Sequence, residues 1–236
     1  MTIETIIEEV VRSIQRYAKP QRIWLYGSRA SGEATDASDI DIAFDDPEFQ
    51  EMWRIEEDVA TLPTLLKIDV KNIAQTEERF RQRVVSTGRV LFSASKFLRF
   101  EDGLYNLRRA HERFAECLDR KGQLEQEGFG DIFLDLAVKR FEFTYEMSWK
   151  ALRRYLDFVG MSVGSPRGSF KEGFAQGLIV DEGLWLEMIE RRNLSSHVYD
   201  LNQVAGILPR LEDYCAAFER LVAELEQRAH QERVNG

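Results

Sequence analysis

The feature that most constrains the fold of this chain is a change in its hydrophobic pattern near residues 93–97. Before that point, short apolar runs of strand length alternate with segments in which apolar residues recur at helical spacing. After that point only the helical spacing continues. The pattern predicts an α+β domain with a small mixed sheet over residues 1–95, followed by an all-α helical bundle over residues 96–236.

The predicted sheet is built from short strands separated by helices. Residues 23–26 form a fully apolar run bounded by polar residues and glycine, which indicates a buried strand. Pro20 ends the helix before this strand, and Gly88 ends the last helix of the domain. In chain order, we predict a helix over 3–17, strands over 23–26 and 40–44, a helix over 48–62, a strand over 65–73, a helix over 76–87 and a strand over 90–92.

The second half of the chain predicts a bundle of four or five helices. Phe141, Tyr145 and Trp149 recur at every fourth position, and such an aromatic stripe is typical of a helix face in the core. Pro209 interrupts the last helical stretch, which we expect to kink or restart there. The predicted helices cover residues 98–120, 131–159, 170–177, 181–197 and 201–228.

The charge balance limits the partners of the chain. It carries 32 Lys and Arg against 41 Asp and Glu, a formal net charge of −9. Because phosphate contacts need clustered basic side chains, this balance argues against broad nonspecific nucleic-acid binding and leaves room for a local basic site. There is neither a signal-peptide pattern nor a run of about eighteen apolar residues, so we expect a cytoplasmic protein with no membrane partner.

A glycine and a serine follow the first predicted strand, and ten residues separate Ser28 from an Asp-Ile-Asp sequence. Gly27 lets the backbone approach a phosphate closely, and the Ser28 hydroxyl can hold phosphate oxygens. Asp39 and Asp41 are two residues apart on a predicted strand, so their carboxylates share one face. Such a pair of carboxylates forms a hard oxygen site that suits Mg²⁺.

Asp69 is the candidate for a third carboxylate at this site. It is flanked by apolar residues on a predicted inner strand, where an unpaired Asp is costly. A strand beside that of Asp39 would bring Asp69 to the metal, as a ligand and as a general base for an acceptor hydroxyl. The competing interpretation is a Gly-Ser turn and two solvated acids, because a DxD motif alone is weak.

The segment LYGSRASGEATDASDIDIAF resembles the minimal nucleotidyltransferase family of the polymerase-beta-like superfamily, whose pattern is GS-x10-DxD. The resemblance implies transfer of a nucleoside monophosphate from ATP or another nucleoside triphosphate, with Mg²⁺ as cofactor. It implies phosphate binding by the Gly-Ser pair and metal binding by the three acids named above. Arg29 is a weaker candidate for a phosphate contact, and a solvated surface arginine is the competing interpretation.

A second group of candidate residues lies in MIERRNLSSHVYD, residues 188–200. Arg192 and His197 are about 140° apart around an ideal helix, so they converge only in a wide groove, at a distorted helix end or across a dimer. Asn193 shares a helix face with His197, and Tyr199 shares one with Arg192. His with Arg suits phosphodiester cleavage, although spacing alone favours a structural hydrogen-bond network.

The same segment resembles the nucleotidyltransferase substrate-binding helical-bundle family of the HEPN group, marked by R-x4-6-H. HEPN proteins often pair with minimal nucleotidyltransferases as toxin–antitoxin modules, normally on two chains. The resemblance implies ribonuclease roles for Arg192 and His197 and makes Tyr199 an acceptor of AMP. Here both halves lie on one chain, a layout that also resembles kanamycin nucleotidyltransferase.

Three functions stay open from the sequence. The first is transfer of AMP to an acceptor held by the helical domain, with Tyr199 of the same chain or of a dimer mate as that acceptor. The second is transfer to a small hydroxyl compound, for which the acidic charge favours a cationic acceptor, and an acceptor on another protein is also open. The third is cleavage of RNA at the HEPN motif, and a bundle that only docks is the remaining alternative. We expect a homodimer formed through the helical domain.

Overall fold

The computed structural model describes residues 1–195 and 207–235, and the chain divides into two compact units, Met1–Leu98 and Arg99–Gly236. In the first unit, every residue of which is described, helices flank a sheet of four strands. Its elements are α1 (Ile3–Tyr17), β1 (Arg22–Tyr26), α2 (Ser28–Ser31), β2 (Ile40–Phe44), α3 (Met52–Ala60), β3 (Ile68–Asn72), α4 (Glu78–Thr87) and β4 (Arg89–Ser93).

The sheet is mixed, with strand order β3-β2-β1-β4. β1 is antiparallel to both β2 and β4, whereas β2 and β3 are parallel and are joined through α3, as a parallel pair requires a crossover. The predicted small mixed sheet is thereby confirmed. The prediction that Asp69 lies on an inner strand is wrong, because β3 is an edge strand whose apolar residues Ile68 and Val70 pack into the core beside α3.

Alternating residues of the inner strands divide the first unit into two layers. On one face, Ile23 and Leu25 of β1 are buried in a core shared with α1 and α3. On the other face, Trp24 and Tyr26 pack with Val84 of α4. Residues of β2 alternate in the same way, so its acidic position lies on the face covered by α4.

Within residues 99–195 and 207–235, the second unit contains helices and no strand, as the sequence predicts. A 3₁₀ turn over Leu208–Arg210 precedes the last helix, which begins at Leu211, whereas residues 201–206 of the predicted helical stretch lie outside the described residues. The helices are α5 (Lys96–Asp119), which begins before the unit boundary, α6 (Lys121–Gln126), α7 (Gly130–Phe158), α8 (Pro166–Ala175), α9 (Glu182–Ser195) and α10 (Leu211–Asn235). No helix in the described part of the chain is both long enough and apolar enough to cross a lipid bilayer.

Aromatic rings join the long helices of the second unit. Phe141 of α7 is fully buried against Phe218 of α10, and Tyr145 packs on Phe170 of α8 with ring centroids 5.2 Å apart. These contacts confirm the predicted aromatic stripe for its first two members. Trp149 is only half-buried and lines a surface cavity, so its assignment to the core is wrong.

Local capping moves one helix start away from its predicted position. α8 begins four residues before the predicted position because Ser165 caps it, with its hydroxyl accepting a hydrogen bond from the Gly168 N–H, and Pro166 occupies the first turn. α9 begins as predicted, since the Asp181 carboxylate accepts a hydrogen bond from the Leu184 N–H at 2.9 Å.

Candidate active site

The strand register brings three polar residues side by side on the face of the sheet covered by α4. Tyr26 of β1 is the partner of Asp41 on β2, and Asp41 is the partner of Asp69 on β3. Residues in register on adjacent strands have side chains about 5 Å apart at their Cβ atoms. The predicted neighbour relation between Asp41 and Asp69 therefore follows from hydrogen bonding in the sheet.

Asp39 precedes β2 by one residue and is about half exposed, whereas Asp41 is partly buried within the strand. Desolvation by burial raises the pKa of Asp41, and the negative charges of Asp69 and Asp39 raise it further. A positive charge beside these carboxylates would remove part of their repulsion.

Two lysines supply positive charge at the carboxylates, and the sequence reading did not single them out. The Lys71 ammonium lies 2.7 Å from the Asp69 carboxylate, and the Lys67 ammonium lies 3.6 Å from that of Asp39. Lys71 is two residues after Asp69, which puts both on one side of β3. That spacing is the one indication in the sequence that Lys71 lies beside Asp69, and the ion pair itself is visible only in the folded sheet.

The donor set can be tested against a divalent metal. Among the described residues, no group of three His, Cys, Asp or Glu side chains stands ready to hold a metal ion. The chemistry of the set nevertheless fits Mg²⁺, because Asp39, Asp41 and Asp69 offer only oxygen ligands and their mutual repulsion favours a cation. Asp69 would have to turn from Lys71 to complete the site.

Gly27 lies in direct contact with the Asp41 carboxylate. It adopts φ +72°, a left-handed conformation that glycine tolerates best, and it follows directly after β1. A Cβ added to Gly27 would lie 2.3 Å from Oδ2 of Asp41, which is too short for any real contact. Only glycine at this position leaves the carboxylate in place.

Arg29 and Ser28 occupy the short helix that follows Gly27. The Arg29 guanidinium donates hydrogen bonds to backbone carbonyl oxygens of Asp36, Ser38 and Asp39, and so fastens the loop that leads into β2. In the described part of the chain, the Ser28 hydroxyl makes no hydrogen bond. The structure therefore gives Arg29 a role in positioning Asp39 and leaves the Ser28 hydroxyl available to a ligand.

Tyr26 is a further polar group at this site that the sequence reading treated only as part of a strand. Its hydroxyl donates a hydrogen bond to Asp69 at 3.3 Å, and its ring packs edge-on against Phe80 of α4. Burial and the charge of Asp69 both raise the pKa of the Tyr26 hydroxyl above its ordinary value. The hydroxyl thus stays protonated and serves as a hydrogen-bond donor to Asp69.

The second predicted motif is only partly described. Arg192 and Asn193 lie in the last turn of α9, while His197 and Tyr199 lie outside the described residues. The Arg192 guanidinium donates a hydrogen bond to Oε1 of Glu146 on α7 at 2.8 Å, within an ion pair. Glu146 was not recognised from the sequence, since 46 residues separate it from Arg192.

A mixed sheet with a Gly-Ser turn after one strand and acids on the next two, followed by a helical unit, defines the class of two-domain nucleotidyltransferases. Residues 98–227 match the family described as nucleotidyltransferase substrate binding protein like, and residues 8–97 match the polymerase beta nucleotidyltransferase family. The chain belongs to the first family and carries a nucleotidyltransferase domain of the second at its N-terminal side, as the sequence motifs predict.

Similar proteins match parts of the chain. A Haemophilus influenzae protein described as a probable ribonuclease HepT is 28% identical over 103 residues, which cover 42% of this chain and 70% of that protein. A solved structure from Thermus thermophilus is 32% identical, covers 46% of this chain and 98% of that chain, and has a TM-score of 0.39. The structure of HI0074 from Haemophilus influenzae, described as the fold of a substrate binding domain of a nucleotidyltransferase, is 22% identical, covers 51% and 99% of the two chains and has a TM-score of 0.45.

Proposed function

We propose that this chain is a Mg²⁺-dependent nucleotidyltransferase that transfers AMP from ATP to a hydroxyl presented by its helical unit, with Tyr199 as the acceptor. The observation that carries the proposal is the strand register, which sets Asp41 beside Asp69, with Asp39 one residue before the strand of Asp41. The match of residues 8–97 to a nucleotidyltransferase family supports the reaction class.

The reaction is one substitution at phosphorus. The acceptor oxygen forms a bond to the α-phosphorus of ATP, the bond from that phosphorus to the oxygen bridging to the β-phosphate breaks, and pyrophosphate leaves with the electron pair. The proton of the acceptor hydroxyl passes to a carboxylate, for which Asp69 is the candidate base. Asp39, Asp41 and Asp69 would hold Mg²⁺, which would supply positive charge against the negative charge that develops in the reaction.

The surrounding residues have roles that follow from their contacts. Gly27 has no side chain beside Asp41, so phosphate oxygens can approach the backbone there. The Ser28 hydroxyl donates a hydrogen bond to these oxygens. Lys71 would exchange its contact with Asp69 for a phosphate oxygen, which frees the carboxylate. Tyr26 then remains as the hydrogen-bond donor that orients Asp69.

The proposal is tested by incubating the protein with ATP labelled at the α-phosphate and with Mg²⁺. We expect label on the protein, loss of that label in Tyr199→Phe, and loss of all transfer in Asp69→Asn. Label that appears on a soluble product would show that the acceptor is a small molecule and not Tyr199. Equal labelling of the Tyr199→Phe protein would exclude Tyr199 as the acceptor.

Cleavage of RNA by the helical unit is a second candidate function. It is favoured by the similarity to a protein described as a probable ribonuclease and by the presence of Arg192 in the matching motif. The test is cleavage of a single-stranded RNA in EDTA, where nucleotidyl transfer is silent. We expect cleavage to disappear in His197→Ala and to persist in Asp39→Asn, and cleavage that survives in His197→Ala would exclude this site.

A further inference from the structure

A cavity of about 460 Å³ opens in the second unit between α5, the C-terminal part of α7 and the loop that follows α7. Its volume falls in the range of about 300–1,000 Å³ that is usual for small-molecule sites. We call it the cationic pocket. The residues that matter to the argument are Arg99, Trp149, Lys150, Arg153, Arg154 and Asp157.

The pocket collects positive charge in a chain whose net charge is −9. Four of its side chains are cations, and Asp157, 3.9 Å from Arg99, is the one acid among the described lining residues. Glu146 lies 3.9 Å from Lys150, and Asp102 acts on Arg154, so Arg153 is the cation with the least compensation. Lys150, Arg153 and Arg154 recur at helical spacing on α7, where like charges repel. Arg153 is exposed and makes no ion pair within the described residues. An anion in the pocket would relieve this repulsion.

Arg154 is held in place by a close approach of two helices. A Cβ on Gly103 of α5 would lie 2.8 Å from Cδ of Arg154 and 3.3 Å from Cα of Ala151. The Arg154 guanidinium donates a hydrogen bond to the Arg99 carbonyl oxygen at 3.3 Å. Gly103 therefore makes room for the stem of an arginine whose charged end is fixed at the pocket.

Trp149 adds a planar aromatic ring to the charged lining. Its indole N–H donates a hydrogen bond to Oε2 of Glu146 at 2.9 Å, and the Lys150 ammonium lies 5.6 Å from the ring centroid. The hydrogen bond fixes the orientation of the ring, and a fixed indole is a stacking partner for planar rings. Glu146 also holds Arg192, so the pocket is linked by one carboxylate to the motif on α9.

We infer that the cationic pocket binds a small phosphorylated ligand that carries a planar ring, with its phosphate on Arg153 and Arg154 and its ring on Trp149. Guanidinium groups suit phosphate because they offer planar sets of donors. This inference goes beyond nucleotidyl transfer and does not depend on it.

Calorimetric titration of the whole protein in EDTA, at low salt, tests the inference with three probes. AMP carries both phosphate and ring, ribose 5-phosphate lacks the ring, and adenosine lacks the phosphate. We expect AMP to bind most tightly, ribose 5-phosphate about tenfold more weakly, and adenosine not to bind measurably. AMP has no pyrophosphate to release, so this binding and the proposed transfer can fail separately.

Variants assign the binding to the pocket. Arg153→Gln should weaken AMP and ribose 5-phosphate alike by about tenfold, and Trp149→Leu should weaken AMP alone to the level of ribose 5-phosphate, with recovery in Trp149→Phe. Gly103→Ala should lower the affinity for both AMP and ribose 5-phosphate, because it displaces Arg154 without removing a charge. Arg220→Gln is the matched control, since Arg220 is another exposed helical arginine without an ion pair in the described chain and does not line the pocket.

Three results would overturn the inference. One is an AMP affinity that is the same in Arg153→Gln, in Trp149→Leu and in the control Arg220→Gln. The nucleotide would then bind outside the pocket. Another is tight binding of a 5′-phosphorylated RNA oligonucleotide together with no binding of AMP, which would make the surface a nucleic-acid contact. The same holds if none of the three probes binds at millimolar concentration.

Discussion

Gly27 and Gly32 both adopt a positive φ, yet only Gly27 lies against a carboxylate. A side chain at Gly32, in the αL region, strains the backbone by about 1–2 kcal/mol, and a side chain at Gly27, with φ 72° and ψ −158°, strains it more because that region is nearly restricted to glycine. At Gly32 nothing lies within 4 Å of the added Cβ, whereas at Gly27 the Cβ would collide with Asp41. Gly32 therefore shows what backbone strain at a positive φ does to transfer when no carboxylate is displaced.

We expect Gly27→Ala to reduce the rate of AMP transfer at least about a hundredfold, because displacement of catalytic groups by about 1 Å has effects of this size. Gly32→Ala should lose less stability and retain most of the transfer rate. The measurements are label incorporation from ATP and the free energy of unfolding in urea. Equal loss of transfer in both variants would show that strain, and not contact with Asp41, is responsible.

At the residue scale, the sequence identifies the three acids as site candidates and does not identify the residues that contact them. The spacing of Asp39 and Asp41, and the apolar flanks of Asp69, were enough to predict three carboxylates near one another. Lys71 and Tyr26 could not be assigned to the site in the same way, because their contacts depend on strand order and register. Those are set by packing between segments that lie far apart in the chain.

At the scale of elements, a single carboxylate of α3 adds polar contacts with three side chains of α1 to the core that the two helices share. Asp58 of α3 accepts hydrogen bonds from the Ser13 hydroxyl at 3.0 Å, the Arg16 guanidinium at 2.7 Å and the Tyr17 hydroxyl at 3.2 Å, all on α1. Asp58 is about three-quarters buried, whereas its neighbour Glu57 is exposed.

Asp58→Ala should lower the free energy of unfolding of the first unit by about 2 kcal/mol, because hydrogen bonds to a charged group are lost and the hydroxyl of Ser13 loses its partner. Glu57→Ala, one position earlier on the same helix, should change it by no more than about 0.5 kcal/mol. Urea unfolding followed by the fluorescence of Trp24 and Trp53 measures both. A loss of less than about 0.5 kcal/mol in Asp58→Ala would contradict the assignment of Asp58 as the link between the helices.

α9 and the last part of the chain are joined by Glu187. Burial opposes its charged form, but hydrogen bonds from Tyr214 at 2.9 Å and Arg210 at 3.1 Å outweigh burial and lower the pKa of the carboxyl. A carboxyl with a lowered folded-state pKa stabilises the fold above its unfolded pKa of about 4.3, and this stability is lost as the pH falls through the folded-state pKa.

We therefore expect Glu187→Gln to destabilise the protein most at pH 7 and progressively less as the pH falls below about 4. Thermal unfolding of the variant and the wild type across this range gives the difference at each pH. Glu190→Gln is the control, because Glu190 is an exposed glutamate on the same helix. A difference that stays constant from pH 7 to pH 3 would contradict the role of the ionised carboxylate.

The long elements were predictable because their periodic apolar residues outnumber the exceptions. The helix predicted over 131–159 is found at Gly130–Phe158, and the one predicted over 3–17 is found at Ile3–Tyr17. α2, with four residues, carries too little sequence to show a period, so the sequence indicates only a turn and a helix start there, without an end. Its start depends on the positive φ of Gly27, which no pattern records.

At the scale of the whole molecule, the net charge of −9 conceals a local arrangement of opposite sign. Asp41 and Asp69 of the first unit lie side by side on adjacent strands, and cations of α5 and α7 line the cationic pocket. Net charge alone favoured a cationic acceptor, whereas the distribution of charge favours an anionic ligand for the helical unit. Composition averages over surfaces that bind different partners, so it could not predict this.

The most direct test of the central claim is the intact mass of the protein after incubation with ATP and Mg²⁺, measured beside an Asp39→Asn/Asp41→Asn variant. The account predicts that the wild type gains the mass of AMP, that the gain maps to the peptide containing Tyr199, and that the variant gains nothing. An unchanged wild-type mass, or an equal gain in the variant, would contradict it.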